Sequence, residues 1–140
     1  MPNIFYDSDA DLSHLANRPI AILGFGSQGH AHALNLHESG CDVRVGLYPQ
    51  AKSWTTVEAA GLRGVDVPQA VREARIVMML TPDTGQGILY RDHIATYLAP
   101  GSTLMFAHGF NVRFGQIVPR PDLDVSMIAP KSPGHRVRVD

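Results

Sequence analysis

At 140 residues with 44% hydrophobic content, the chain can bury one sizeable core and fits a single domain spanning residues 1–140. Its 12 basic residues nearly cancel its 13 acidic ones and form no basic block, which argues against nucleic acid or an anionic membrane as the main partner. No apolar run approaches the ~20 residues of a membrane span. The N-terminus, MPNIFYDSDAD, is acidic where a secretory signal is positive and then apolar, and the single cysteine, Cys41, cannot close an internal disulfide, so a soluble, cytoplasmic protein is expected.

Residues 1–17 read as a polar lead-in. Asp7, Asp9 and Asp11 have the spacing of a calcium loop, but Leu12 and Arg18 stand where that loop needs glycine and glutamate. The segment is expected to be solvated, with an Asp or Ser capping a short helix over residues 13–16. Next comes PIAILGFGSQGHAHALN at residues 19–35, an apolar, β-favouring run, a glycine turn and a segment of helical spacing. This order suits a dinucleotide pyrophosphate. Gly24 permits the tight turn, Gly26 lets the backbone approach the phosphates and Gly29 lets the helix pack closely on the sheet, with Phe25, Ser27 and Gln28 completing the turn. The N–H groups of the helix's first turn and its dipole would hold the anion.

Residues 41–47 (CDVRVGL) form the second predicted strand, and Ser53 is expected to cap a helix that runs through residue 60 and stops at Gly61. A short third strand falls within 62–67, and Pro68 fits the first turn of a helix reaching residue 74. The uninterrupted apolar run at 76–80 (IVMML) suits a strand covered on both faces. Helical segments follow at 86–90 and 93–98, Pro100 and Gly101 turn the chain, 102–107 is the fifth strand and 124–129 the last.

Strands alternating with short helices predict an α/β fold with a doubly wound, mostly parallel, Rossmann-like sheet. Ligands in such sheets bind beyond the carboxyl ends of the strands. That rule singles out Ser27 and Gln28, residues 48–53, Thr81, Pro82 and Asp83, residues 108–111 and residues 131–135. The loop after the second strand, GLYPQAKSWTTV at 46–57, lacks the acid with which NAD-binding domains hold the ribose hydroxyls. Lys52 and Ser53 could instead donate to a 2′-phosphate while Tyr48 lies against the adenine, which favours NADP. His108 follows a buried strand directly and leads into Gly109, near where a nicotinamide would lie, and Lys131 has a similar placement in a proline- and glycine-bounded loop. His30 and His32, two residues apart on a helix, do not have the spacing of a metal pair and are read as helix packing with satisfied polar atoms.

Together, FYDSDADL, GFGSQGHAHALNLHESG, DVRVGL, KSW, LTPD, FAHGFN, FGQI and APKSPGH resemble the N-terminal cofactor-binding domain of ketol-acid reductoisomerase, also called acetohydroxyacid isomeroreductase, over nearly the whole chain. The resemblance implies an NADPH- and magnesium-dependent enzyme of valine and isoleucine biosynthesis. Such an enzyme isomerises and reduces 2-acetohydroxy acids to 2,3-dihydroxy acids and is compatible with a homo-oligomer. Carried over by motif, the glycine turn would bind the pyrophosphate, Ser53 the 2′-phosphate, His108 would stand in the active site and Lys131 near it. Family members often carry arginine where this chain has Tyr48 and a second serine where it has Ala51. The family's metal-holding helical domain has no counterpart in the sequence, so magnesium is expected of the complete enzyme and not of this chain, and the sheet is expected to lack its last strand or strands. A stand-alone dinucleotide-binding module without catalysis and another two-domain reductase sharing only the fold remain as alternatives.

Overall fold

The central strands form where apolar runs meet turn residues. In the computed structural model, which describes residues 1–139, the strands are β1 (Ile20–Leu23), β2 (Val43–Leu47), β3 (Arg63–Asp66), β4 (Ile76–Met79), β5 (Thr103–Phe106) and β6 (Asp124–Met127). Between and after them lie α1 (Ser27–Glu38), α2 (Trp54–Ala59), α3 (Val67–Glu73), α4 (Asp83–Leu89), α5 (Phe110–Arg113) and α6 (Arg136–Val139). All five strand pairings are parallel and the order is β3-β2-β1-β4-β5-β6. This is the doubly wound Rossmann order. Its six strands are those expected from the sequence.

Every residue of β1 and β4 is buried, because helices cover both faces of the sheet centre. On one face Ile20, Ile22, Val43, Val45, Ile76 and Met78 pack with Ala33, Leu34 and Val57. On the other, Ala21, Leu23, Val77, Met79, Leu104 and Phe106 pack with Val67, Val71, Leu89 and Ile94. Each large side chain buried this way contributes roughly 1.5–3 kcal/mol.

Local chemistry sets the helix ends. Asp66 accepts the Gln69 N–H at 2.8 Å to start α3, with Pro68 in the first turn. After α2 the Leu62 N–H reaches the Val57 carbonyl across Gly61, a Schellman closure. The lead-in forms two 3₁₀ turns, Asp7–Asp9 and Leu12–Leu15, the second capped by Asp11. Ser53 precedes α2, but its helical backbone (φ −78°, ψ −7°) keeps its hydroxyl from any cap bond, contrary to the expected role.

Two segments depart from the predicted pattern. The helix expected at 86–90 begins at Asp83 and passes into a single π turn, Tyr90–Ile94, in place of a second helix at 93–98. Arg120 holds that end: its guanidinium donates to the Ala95 and Leu98 carbonyls, satisfying groups that a helix terminus leaves open. The helices α5 and α6 escaped the sequence reading because one turn shows no period.

One buried charge breaks the apolar run of β2. Arg44, 5% exposed, donates to Asp42 at 2.7 Å and to the Glu73 backbone at 3.2 Å. Glu73 also takes a two-bond fork from Arg63, at 2.6 and 3.0 Å, and a bond from Gln69. The Arg63 hydrogen bonds, then that of Gln69, lower the Glu73 pKa to about 2. A depressed carboxylate pKa gives stability that is present above its unfolded value and lost as pH falls through its folded value. Urea unfolding should therefore show Glu73→Gln losing less stability than the parent between about pH 4.5 and about pH 2. Parallel pH profiles would refute that role.

Candidate dinucleotide-binding site

The strand order reverses between β1 and β4, and the loops after them separate there to leave a cleft of about 600 Å³. Five loops line it: Gly24, Phe25, Gly26, Ser27 and Gln28 after β1; Tyr48, Ala51 and Ser53 after β2; Val67 after β3; Thr81, Pro82, Asp83 and Gln86 after β4; and His108 after β5. The fold thus brings most of the singled-out residues to one opening. Lys52 and Lys131 are exposed and lie outside the lining.

The three glycines are there for different reasons. Gly24 has φ +95°, and a Cβ on it would approach the Leu80 carbonyl oxygen to 3.0 Å. A Cβ at Gly29 would sit 2.2 Å from the Gly24 carbonyl oxygen, so only glycine allows α1 to seat this closely on the turn. Gly26 differs, since a Cβ there would meet nothing within 4 Å. The protein's own packing does not require glycine at 26. The space in front of it borders the start of α1, whose first-turn N–H groups receive no capping side chain.

The sequence reading missed Gly134 as a site residue. Its backbone lies so close to the start of α1 that a Cβ would come within 2.4 Å of Ser27 Oγ and 2.8 Å of the Gln28 nitrogen. The segment carrying it is pinned to α1. Arg138 bonds Asn35 and both carboxylate oxygens of Glu38, holding the Glu38 carboxyl below its usual range, and Asn35 donates to the Val137 carbonyl. Lys131 belongs to the same segment. The Pro-Gly pair at 133–134 was the available signal, read from the sequence only as stiffness.

The wall opposite the glycine turn is built on a polar network whose Gln86 was also missed. Gln86, 3% exposed, donates to the Thr81 carbonyl at 2.7 Å, and its Oε1 accepts from Asn111, 2% exposed, at 3.1 Å. Asn111 donates in addition to the Asp83 carbonyl at 3.0 Å. These bonds tie the loop after β4 to the loop after β5. Thr81 Oγ1, in the cleft wall, is buried without a partner among the described residues.

At the rim, His108 Nδ1 accepts the Phe110 N–H at 3.1 Å and stands 3.9 Å from Asp83 Oδ2. An Nδ1 that accepts places the proton of the neutral imidazole on Nε2, which is then free to donate. Of the other histidines, His30 packs edge-on against Phe25. His32 departs from the expected satisfied state: its Nε2 is buried without a partner among the described residues, and burial lowers its pKa. Asn111→Ala should cost about 1–3 kcal/mol in chemical unfolding, because it strands the buried Gln86 oxygen. A loss below a few tenths of that figure would show the loop-to-loop network to be dispensable.

Comparison with known proteins agrees with this geometry. The family model for the acetohydroxy acid isomeroreductase NADPH-binding domain matches residues 14–140. An NADH-preferring ketol-acid reductoisomerase from an uncultured archean is 37% identical, with a TM-score of 0.92 over 99% of this chain and 43% of its own. A semialdehyde dehydrogenase NAD-binding protein from Cupriavidus necator, in complex with calcium and NAD, is 27% identical, with a TM-score of 0.73 over 84% of this chain and 42% of its own. The 3-hydroxyisobutyrate dehydrogenase of Mycobacterium tuberculosis, at 19% identity and a TM-score of 0.67 over 84% of this chain and 42% of its own, shares the fold. The chain spans less than half the length of each of these proteins. With the glycine turn, the six-stranded parallel sheet and a family match over residues 14–140, the chain belongs to the acetohydroxy acid isomeroreductase family and carries its nicotinamide-dinucleotide-binding domain.

Proposed function

We propose that the cleft binds NADPH and that the chain is the cofactor half of a ketol-acid reductoisomerase, which isomerises 2-acetohydroxy acids and reduces them to 2,3-dihydroxy acids. The observation that carries the cofactor assignment is the open space in front of Gly26, beside uncapped helix N–H groups. Glycine there serves a ligand and not the core. In this reading Gly26, Ser27 and Gln28 hold the pyrophosphate, with Gly134 passing close enough to form its outer wall.

The lining supports one orientation of the cofactor in this reading. Tyr48, Ala51 and Ser53 form the adenosine end, and Thr81, Pro82, Asp83 and His108 the nicotinamide end. Bound there, NADPH supplies a hydride to the substrate's keto carbon. The oxygen of that carbon then takes a proton from solvent, and we assign the Nε2–H of His108 to hydrogen-bond that oxygen and orient it. Lys131, carried by the segment pinned to α1, is assigned to orient the substrate's negative charge.

The magnesium implied by the resemblance does not fit this chain alone. Among the described residues no group of three or more His, Cys, Asp or Glu side chains could hold an ion. Asp83 and His108 at the rim are two donors, where magnesium takes near-octahedral oxygen ligation. We therefore route no step through a metal and assign its donors to parts of the enzyme this chain does not span.

The preference for NADPH rests on the β2 loop. It holds no acid from 46 to 57, and Ser53, its hydroxyl not used as a cap, faces the cleft beside the exposed Lys52. One charge-assisted contact to the 2′-phosphate is worth roughly 1.5–3 kcal/mol.

Two measurements test this reading. By calorimetry, Gly26→Val should abolish NADPH binding while leaving thermal unfolding near that of the parent; unchanged affinity would remove the pyrophosphate from this turn. The parent chain should bind NADPH more tightly than NADH, and Ser53→Asp should weaken NADPH by about tenfold or more while sparing NADH. Equal affinities of the parent for the two cofactors would overturn the phosphate assignment.

A further inference from the structure

We propose that residues 133–139 form a strap that gates the glycine turn, latched by Arg138 on Glu38 and Asn35; this rests on the dinucleotide reading and adds how the cofactor enters and leaves. The strap meets α1 at two places. Near its start Gly134 lies over the first turn of the helix, where a Cβ on it would stand 2.8 Å from the Gln28 nitrogen. Near its end Arg138 donates to both carboxylate oxygens of Glu38 and, at 2.9 Å, to Asn35 Oδ1, while Asn35 donates to the Val137 carbonyl at 3.2 Å.

Between these contacts the strap spans a hollow. A cavity of about 760 Å³ opens there, bounded by Ser27 at one end, by Asn35 and Glu38 at the other, and by His135 of the strap itself. This cavity shares Phe25, Gly26 and Ser27 with the main cleft, so the strap runs past the turn on which the pyrophosphate is placed. A point 2.8 Å from a backbone nitrogen is where a phosphate oxygen would accept its N–H. Glycine at 134 leaves that point open. A pyrophosphate seated there is enclosed between α1 and the strap, and its arrival and departure both need the strap to lift.

Little else fastens the strap. The Ile128 N–H makes the last bond to β5, at 2.9 Å. Beyond it the backbone bonds made among the described residues stay within the segment, Arg136 to Pro133 and Arg138 to His135, apart from the one that Val137 accepts. One turn of helix has no stability of its own. The latch is therefore the main fastening, and with Glu38 exposed it is a surface ion pair that opens at low cost. Asn35, Glu38 and Arg138 do not line the main cleft, so loosening them alters traffic through the gate and not the contacts of the seated cofactor.

Stopped-flow fluorescence of NADPH binding to the purified chain tests the gate. Arg138→Ala should raise the association and dissociation rate constants together by about two- to fivefold, leaving Kd within about twofold because the latch is made alike in both states. That excess over the parent should shrink as added salt screens the parent's own latch. Exchanging the charges, Glu38→Arg with Arg138→Glu, should slow both rates back toward those of the parent. Unchanged rates in Arg138→Ala would overturn the proposal, and so would a faster dissociation alone with weaker binding, since that marks the strap as a contact of the bound cofactor and not a gate. Failure of the exchanged pair to slow the rates would overturn the latch. A parent that binds neither NADPH nor NADH would overturn the dinucleotide reading and this inference with it, whereas binding at rates indifferent to the latch overturns this inference alone.

Discussion

The close seating of α1 on the turn after β1 is the constraint on which the site depends. With no side chain at 29, the helix reaches the Gly24 carbonyl, and its first-turn N–H groups come to the edge of the sheet at the point where the strand order reverses. A methyl group at 29 would have to displace either the helix or the turn. Because the turn is also held from the far side, with Gly24 bonded to the Gly46 carbonyl and pressed against Leu80, neither can yield without disturbing the central strands. The first turn of the helix is therefore held by the same packing as the core beneath it.

The rest of the cleft uses other means to the same end. Its far wall is held by side-chain amides: Gln86 and Asn111 join two loops that share no ladder hydrogen bonds, and burial makes each bond costly to lose. The 130–139 segment is held by charge, through the Arg138 fork on Glu38 and Asn35. These are surface contacts, weaker and more sensitive to salt than the glycine packing. The means of support thus weaken from the glycine turn toward the segment carrying Lys131.

The family match and the β2 loop bear on cofactor choice from different directions. The matched family domain is described as NADPH-binding, while a similar reductoisomerase prefers NADH. Fold and glycine turn are common to both cofactors, since both carry the same pyrophosphate. Discrimination has to come from the few side chains beside the adenosine ribose, which in the reading proposed above are those of the β2 loop, Tyr48, Ala51, Lys52 and Ser53.

What the sequence determined by itself was whatever short-range pattern can encode. The predicted strand segments became β1 through β6, Pro68 and Gly61 bounded their helices where expected, and the glycine turn joined β1 to α1. Which residue follows which strand was also legible, so the lining residues Tyr48, Ser53, Thr81, Asp83 and His108 could be named in advance. The tertiary structure alone decided what depends on distance between segments far apart in the chain. Gly134 meets the start of α1 across more than a hundred residues, and Gln86 and Asn111 bond between neighbouring loops. None of these partners can be read from a periodic or local pattern, because a long-range contact is set by how the sheet stacks its crossovers and not by the spacing of residues along one element.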